Sequence, residues 1–187
     1  GITDIGCSRT KNEDCITWHS GLGIAILTDG MGGANAGEVA SRIAAETILK
    51  EVTEGMDNMS SSPDGMESGA AYTRASLLLT RAFQKVNGLI LSIASDQPEC
   101  SGMGATTTAA LFYNNRLSIG HVGDSRLYRL RGDTLSQLTE DHTVIQELLN
   151  GGLYSRKQAE KTINRNIVTR AVGVTPNLKV DIVELGA

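Results

Sequence analysis

Alternating apolar and polar positions mark Cys15 to His19 and Gly23 to Thr28 as two short strands, joined by a turn at Ser20-Gly21. The second strand delivers Asp29 into a glycine-rich stretch, Gly30-Met31-Gly32-Gly33, after which the period of the pattern changes. From about Gly37 to Val52 the positions Val39, Ala40, Ile43, Ala44 and Ile48 fall at helical spacing. A second helical stripe runs through Ala71, Ala75, Leu78, Leu79, Ala82, Val86, Leu89, Ile90 and Ile93. Stripes of this kind face a core. Residues 55–68, between the two helices, are rich in Ser, Gly, Asp and Met and include Pro63, which predicts a mobile loop without chemistry.

Beyond the second helix, Ala105 to Tyr113 and Arg116 to Val122 read as strands around a tight Asn114-Asn115 hairpin, and a further strand pair turns at Gly132-Asp133. Asp141 to Asn150 reads as a short helix ended by Gly151-Gly152. Ser155 and Gln158 have the spacing of a capping box for another helix. Leu178 to Leu185 is a last strand. Strands and helices come in blocks, without regular βαβ alternation, and this predicts an α+β architecture with antiparallel sheets.

A chain of 187 residues with 40% apolar content can bury one sizeable core, so 1–187 is expected to form a single domain. The formal charge of −4 leaves no polybasic footprint for nucleic acid or an anionic membrane. Cys7, Cys15 and Cys100 are scattered and show no Cys-x-x-Cys pairing, which predicts reduced thiols in a cytoplasmic setting and no zinc site. No apolar run approaches the roughly 20 residues that a bilayer span requires.

The chemistry centres on Asp29. A carboxylate at a strand end followed by glycine can hold a hard cation, while an ordinary Asp-Gly turn is the bland alternative. Gly6-Cys-Ser-Arg9-Thr-Lys-Asn12-Glu13-Asp14 lies upstream, with Glu13 and Asp14 readable also as a solvated acidic turn. Downstream come Gly102-Met103-Gly104-Ala105-Thr106, Gly123-Asp124-Ser125-Arg126, Leu138-Thr139-Glu140-Asp141-His142, and Arg165-Asn166 leading to Thr169-Arg170-Ala171-Val172-Gly173. Two rivals fail on spacing. Gly30-Met31-Gly32-Gly33 is not followed by the Lys-Ser/Thr of a P-loop and does not make Gly-x-Gly-x-x-Gly, and no Gly-x-Ser-x-Gly nucleophile elbow occurs. His19, His121 and His142 have no evident nucleophile partner and read as structural.

In their order these motifs resemble the metal-dependent protein serine/threonine phosphatases, the PPM or type 2C family, and in particular its small bacterial members. The resemblance runs from Thr3 to about Leu185. It implies a four-layer αββα sandwich, two antiparallel sheets flanked by helix pairs. It also implies hydrolysis of phosphoserine and phosphothreonine by direct attack of a water bridging two Mn2+ or Mg2+ ions, with a third, weaker ion beside them. On the matching positions Asp29 would bridge both metals and the Gly30 carbonyl would bind one. Glu13 would hold a metal-bound water, with Asp14 supporting the ligands from behind, and Arg9 would clamp the substrate phosphate. Asp124 would help bind the third, weaker metal, or else merely cap its turn. Arg126, Thr106 and Arg170 read as mainly structural. Residues 151–162 correspond to the family's flap and are a candidate mobile lid. Phosphoproteins, the substrates of a cognate serine/threonine kinase, are the implied partners.

The sequence also departs from the family. A late Asp-Gly motif and an Asp-Asn motif, which supply further metal-binding aspartates, are not found, and Gly186-Ala187 replaces the usual Pro-Gly-Asp lead. Fewer anionic ligands predict weaker cation binding, weak or absent catalysis by this chain, and a sandwich lacking its C-terminal strands. Open sheet edges would then favour dimerisation or aggregation. A non-catalytic, partner-binding or sensing domain is the alternative that this departure keeps open. Some family members carry a histidine at position 31 that protonates the leaving oxygen. Met31 cannot, which predicts a shallow acidic limb in the pH–rate profile.

Overall fold

The computed structural model describes residues 1–7, 9–33, 36–60, 73–152, 154–155, 158 and 167–186. A five-stranded antiparallel sheet is built from β1 (Asp14–His19), β2 (Ile24–Met31), β3 (Gly104–Tyr113), β4 (Arg116–Val122) and β7 (Asp181–Gly186), in that spatial order. A second, two-stranded antiparallel sheet joins β5 (Tyr128–Arg131) to β6 (Thr134–Gln137). Helices α1 (Ala36–Ser60) and α2 (Arg74–Asp96) pack against each other and cover one face of the large sheet, and a short α3 (Val144–Asn150) follows β6. The α+β class and the two antiparallel sheets are as expected. Only one helix pair is present among the described residues, and β5–β6 alone forms the second sheet.

Alternation along the strands decides what each face carries. Ile24, Ile26, Thr28 and Gly30 of β2 point toward the helices and are buried, while Ala25 and Asp29 point the other way and are exposed. Register extends this division across the sheet, because Ile24 pairs with Leu111 and Ile26 with Ala109. The helix-facing side chains meet Ala44, Ile48 and Val52 of α1 and Leu79, Phe83, Val86 and Ile90 of α2 in one buried cluster. Gly120 in β4 gives the Phe83 ring its room, since a Cβ there would lie 2.9 Å from that ring. Asn114 and Asn115 both adopt positive φ, at 49° and 57°, as a two-residue primed hairpin turn needs.

Several boundaries differ from the sequence reading, and the last strand starts at Asp181, three residues later than Leu178, where pairing with β4 begins opposite His121. Strand β2 does not stop at Thr28; it runs through Asp29 and Gly30 to Met31, paired with β3 along its whole length. Asp29 is therefore a ladder residue and not part of a turn. Helix α1 does not stop near Val52 but continues through Gly55 to Ser60, and so enters the stretch read as loop. Gly55 survives there because Leu78 of α2 lies against it, and a Cβ would overlap that side chain. Helix α3 begins at Val144, later than Asp141, with Thr143 as its N-cap accepting from the Gln146 N–H at 3.2 Å. The stripe residue Ala71 lies outside the described residues.

The start of α2 is tied to the sheet by a carboxylate. Glu184 of β7 accepts from the Thr73 backbone N–H at 2.8 Å, from the Thr73 hydroxyl at 2.5 Å, and from the Ser76 hydroxyl. These hydrogen bonds hold the Glu184 carboxyl below its ordinary pKa, against the opposing effect of burial.

Gly30 is a glycine for want of space. A Cβ there would collide with the Gly37 carbonyl at the start of α1 and would lie 2.9 Å from the Glu13 carbonyl oxygen, whereas one on Gly33 meets nothing. Gly30→Ala is therefore expected to cost about 3 kcal/mol in urea unfolding, the upper range for overpacking, and Gly33→Ala close to nothing. Equal midpoints for the two variants would contradict this packing.

Candidate metal and phosphate site

The antiparallel register of β1 and β2 sets Asp14 directly opposite Asp29, and the register of β2 and β3 sets Thr106 on the other side of Asp29. All three therefore project from the face away from the helices. Like charges directly opposite one another destabilise a ladder, so this pair exists at a cost that pairing alone does not repay. The two carboxylates open into a cleft of about 150 Å³, lined also by Asp4, Ile5, Arg9, Lys11, Asn12 and Glu13. Arg9 Nη1 lies 3.2 Å from Glu13 Oε2, and its side chain is 74% exposed. Glu13 Oε1 packs against Gly37 in the first turn of α1, closely enough to exclude a Cβ there. Asn12 shapes the approach, accepting from the Asp14 N–H at 3.0 Å and donating to Thr3 at 2.7 Å.

Electrostatics single out Asp29, whose carboxyl pKa is raised to about 6. Loss of solvent within the cleft is the main cause. Repulsion from Asp14 and then Asp124 adds to it, as does a hydrogen bond shared with the Asp14 carboxyl, and Arg9 acts in the opposite sense. Although Asp29 is exposed at its outer edge, the crowding of negative charge around it is what a cation would relieve. The donors are hard oxygens, the set that Mg2+ and Mn2+ take. In this respect the residues fit divalent ions, with Asp29 and Asp14 at the centre and Asp124 at the margin. Among the described residues, however, no group of three or more His, Cys, Asp or Glu side chains is close enough to hold an ion by itself.

Asp124 is not in the lining of the cleft. It sits in the turn after β4, and the residues around it are braced. The Gly123 N–H donates to His142 Nδ1 at 3.0 Å, and its carbonyl accepts from the His142 N–H at 2.7 Å. The Ser125 hydroxyl lies 2.8 Å from that of Thr106, and the Ser125 carbonyl 3.1 Å from that of Thr108. Arg126 makes a two-pronged pair with Asp141, at 2.8 and 2.5 Å. Below the turn His121 and His142 are stacked at a tilt, with ring centres 4.8 Å apart, and both are buried. His121 Nε2 donates to the Glu140 carbonyl at 3.0 Å, so its Nδ1 is the acceptor facing the Thr108 hydroxyl at 2.8 Å. That hydroxyl has one proton to share between His121 and the Ser125 carbonyl.

The structure thus brings Arg9, Glu13, Asp14 and Asp29 to one cleft, with Gly30 behind it and Asp124 beside it. The three histidines are structural, as expected. His19 caps a short 3₁₀ turn by accepting from the Leu22 N–H at 3.2 Å, and the other two lie in the buried network. Arg126 and Arg170 are each held by a carboxylate, Asp141 and Asp181. Asp4 and Lys11 in the cleft wall escaped the sequence reading, because a single charged residue in an irregular segment carries no spacing signal. Most of the candidate lid at 151–162, with Arg165 and Asn166, lies outside the described residues. Within it Gln158 Oε1 accepts from the Ser155 N–H at 2.9 Å, half of the expected capping box. A larger hollow of about 400 Å³, between β5 and the ends of β3, β4 and β7, is lined mainly by apolar side chains and is remote from these carboxylates.

Residues 8–174 match the protein phosphatase 2C family, and the chain belongs to it. The serine/threonine phosphatase stp of Listeria welshimeri is 36% identical over 184 residues, which span 96% of this chain and 68% of that protein. The serine/threonine protein phosphatase PstP of Mycobacterium tuberculosis is 35% identical over 172 residues, 91% of this chain and 30% of the longer protein. Among solved structures, that of M. tuberculosis PstP/Ppp superposes with a TM-score of 0.80 at 31% identity, covering 98% of this chain and 71% of that one. The PstP catalytic domain in complex with two manganese ions gives a TM-score of 0.75 at 30% identity, with 98% and 70% coverage.

Burial and the nearby His142 lower the His121 pKa to about 4, and burial lowers that of His142 as well. The folded state therefore keeps both rings neutral while the unfolded chain protonates them near pH 6.5. Stability is full above that pH and declines as the pH falls toward 4, by on the order of 3 kcal/mol for His121. A melting temperature that drops over this interval, with a shallower drop in His121→Asn, is the expected result of circular dichroism. A flat profile from pH 7 to 4.5 would contradict it.

Proposed function

We propose that this chain is a protein serine/threonine phosphatase dependent on Mn2+ or Mg2+, and that its substrates are phosphoproteins produced by a serine/threonine kinase. The observation that carries this reading is the Asp14–Asp29 pair, two carboxylates held face to face on adjacent strands with Arg9 at the rim of the same cleft. Divalent ions bound there would neutralise phosphate charge and activate water for an in-line displacement.

The residues themselves divide the work. Asp29 and Asp14 hold charge at the floor, while Glu13 fixes the resting position of Arg9 at 3.2 Å. Arg9, on an exposed and flexible stem, can exchange that carboxylate for a substrate phosphate, offering the planar pair of N–H donors that suits it. Gly30 lets the start of α1 close against the strand. Since His121 and His142 are buried and His19 is committed to its cap, no described histidine serves the cleft as an acid. The leaving oxygen then takes its proton from solvent.

A second reading, a phosphatase-like domain that binds a partner without turnover, is favoured by one observation: among the described residues no three His, Cys, Asp or Glu side chains converge tightly enough to hold an ion. In either case cation binding by this chain is expected to be weak. Hydrolysis of a phosphothreonine peptide at millimolar Mn2+, alongside calorimetric Mn2+ titration, tests both. Asp29→Asn is expected to abolish turnover and ion uptake together. Arg9→Lys should leave uptake intact and raise KM about tenfold, the equivalent of one charged hydrogen bond. Ion uptake without any turnover would select the non-catalytic reading, and full activity in Asp29→Asn would end both.

A further inference from the structure

His142 stands outside the cleft, yet it holds both polar backbone atoms of Gly123, the residue before Asp124: the Gly123 N–H reaches its ring at 3.0 Å and the Gly123 carbonyl its N–H at 2.7 Å. Because Nδ1 accepts from an amide, the ring proton must be on Nε2, which lies 3.0 Å from Asp181 Oδ2. Asp181 is fixed in turn by Arg170 at 2.7 Å. The Gly123 backbone has φ +114°, and a Cβ would collide with Thr106, so the turn can neither relax to an ordinary conformation nor be filled by a side chain. Ser125 and Arg126 are anchored elsewhere, and the β4 ladder ends at Val122, so that beyond it His142 grips the backbone on the N-terminal side of Asp124.

From this geometry we infer that His142 is a positioning residue for Asp124, and that Asp181 and Arg170 act through it by fixing its tautomer and ring orientation. The inference rests on the proposed role of Asp124 in cation binding, but the positioning itself can be read without any metal. A ring that only filled space would have no reason to accept the Gly123 N–H at one nitrogen while its own backbone N–H holds the Gly123 carbonyl, nor to be backed by a part-buried ion pair at its far nitrogen. Groups that orient ligands at one remove commonly change ion affinity by about tenfold or more when lost.

Two measurements on the 187-residue chain test it. Amide hydrogen exchange without metal, followed by NMR, should show the Gly123 N–H exchanging about fivefold faster or more in His142→Leu, the loss of one hydrogen bond. In His142→Asn the amide oxygen can take the place of Nδ1, and protection should return. Should the leucine variant fail to fold, Asp181→Asn, which leaves the ring in place but unanchored, provides an intermediate acceleration. Calorimetry with Mn2+ then compares His142→Leu, Asp124→Asn and the double variant. Equal losses in the single variants with no further loss in the double place both residues on one path. Unchanged Gly123 exchange in His142→Leu, or no rescue by asparagine, overturns the positioning role. Normal Mn2+ affinity in Asp124→Asn, with the exchange pattern as expected, would instead overturn the assignment of Asp124 to the ion site.

Discussion

Two carboxylates directly opposite each other on adjacent strands are the constraint around which this structure is arranged. The Asp14–Asp29 pairing cannot be avoided by a local adjustment, because side-chain period and strand register are coupled. A slip of one residue would turn Asp29 into the helix layer and Gly30 out of it, removing the one position that lets α1 approach. Ile24 and Ile26, at 3% and 1% exposure, anchor β2 in the correct phase from its other end. Hydrophobic burial along the strand thus holds the acid pair together against its own repulsion, which adds to the loss of solvent that chiefly raises the pKa of Asp29.

The same alternation explains why the chemistry gathers at one end of the sheet. The end of β2, the beginning of β3, the beginning of β1 and the end of β4 all meet there, so Asp29, Thr106, Asp14 and the turn with Asp124 become neighbours without any long excursion of the chain. At the opposite end the same face carries Trp18, Phe112 and Leu117, and the β5 strand crosses near it with Leu130. One face is consequently polar at the end where the strands present Asp14, Asp29 and Thr106 and apolar at the other. Its character changes along each strand within six residues or fewer.

Much of this was legible in the sequence because it is local. The Asn114-Asn115 and Gly132-Asp133 turns, the helical stripes and the order of the short motifs all depend on residues close together in the chain, and both hairpins formed where expected. What escaped depends on partners far away. The continuation of β2 through Asp29 is decided by pairing with Ala105 and Thr106, and the persistence of α1 past Gly55 by Leu78 across the helix interface. The candidate site divided along the same line. Arg9, Glu13, Asp14 and Asp29 could be named from motifs, but the facing of Asp14 toward Asp29 is a matter of register, which no motif encodes. Asp4 and Lys11 became visible as cleft residues only once the chain was folded.

His142 shows how far such distant partnership extends. Sequence alone justified calling it structural, since no nucleophile accompanied it. Its partners are Gly123, 19 positions earlier, and Asp181, 39 positions later, and between them they determine which nitrogen carries the proton. A buried neutral ring whose two nitrogens have different, fixed tasks is a stiffer support than a flexible polar side chain of the same reach, because tautomer and orientation are set together. The turn carrying Asp124 can therefore remain irregular while its backbone position is determined by the sheet. Irregular backbone at the surface and ordered hydrogen bonding beneath it are, in this protein, two parts of one arrangement.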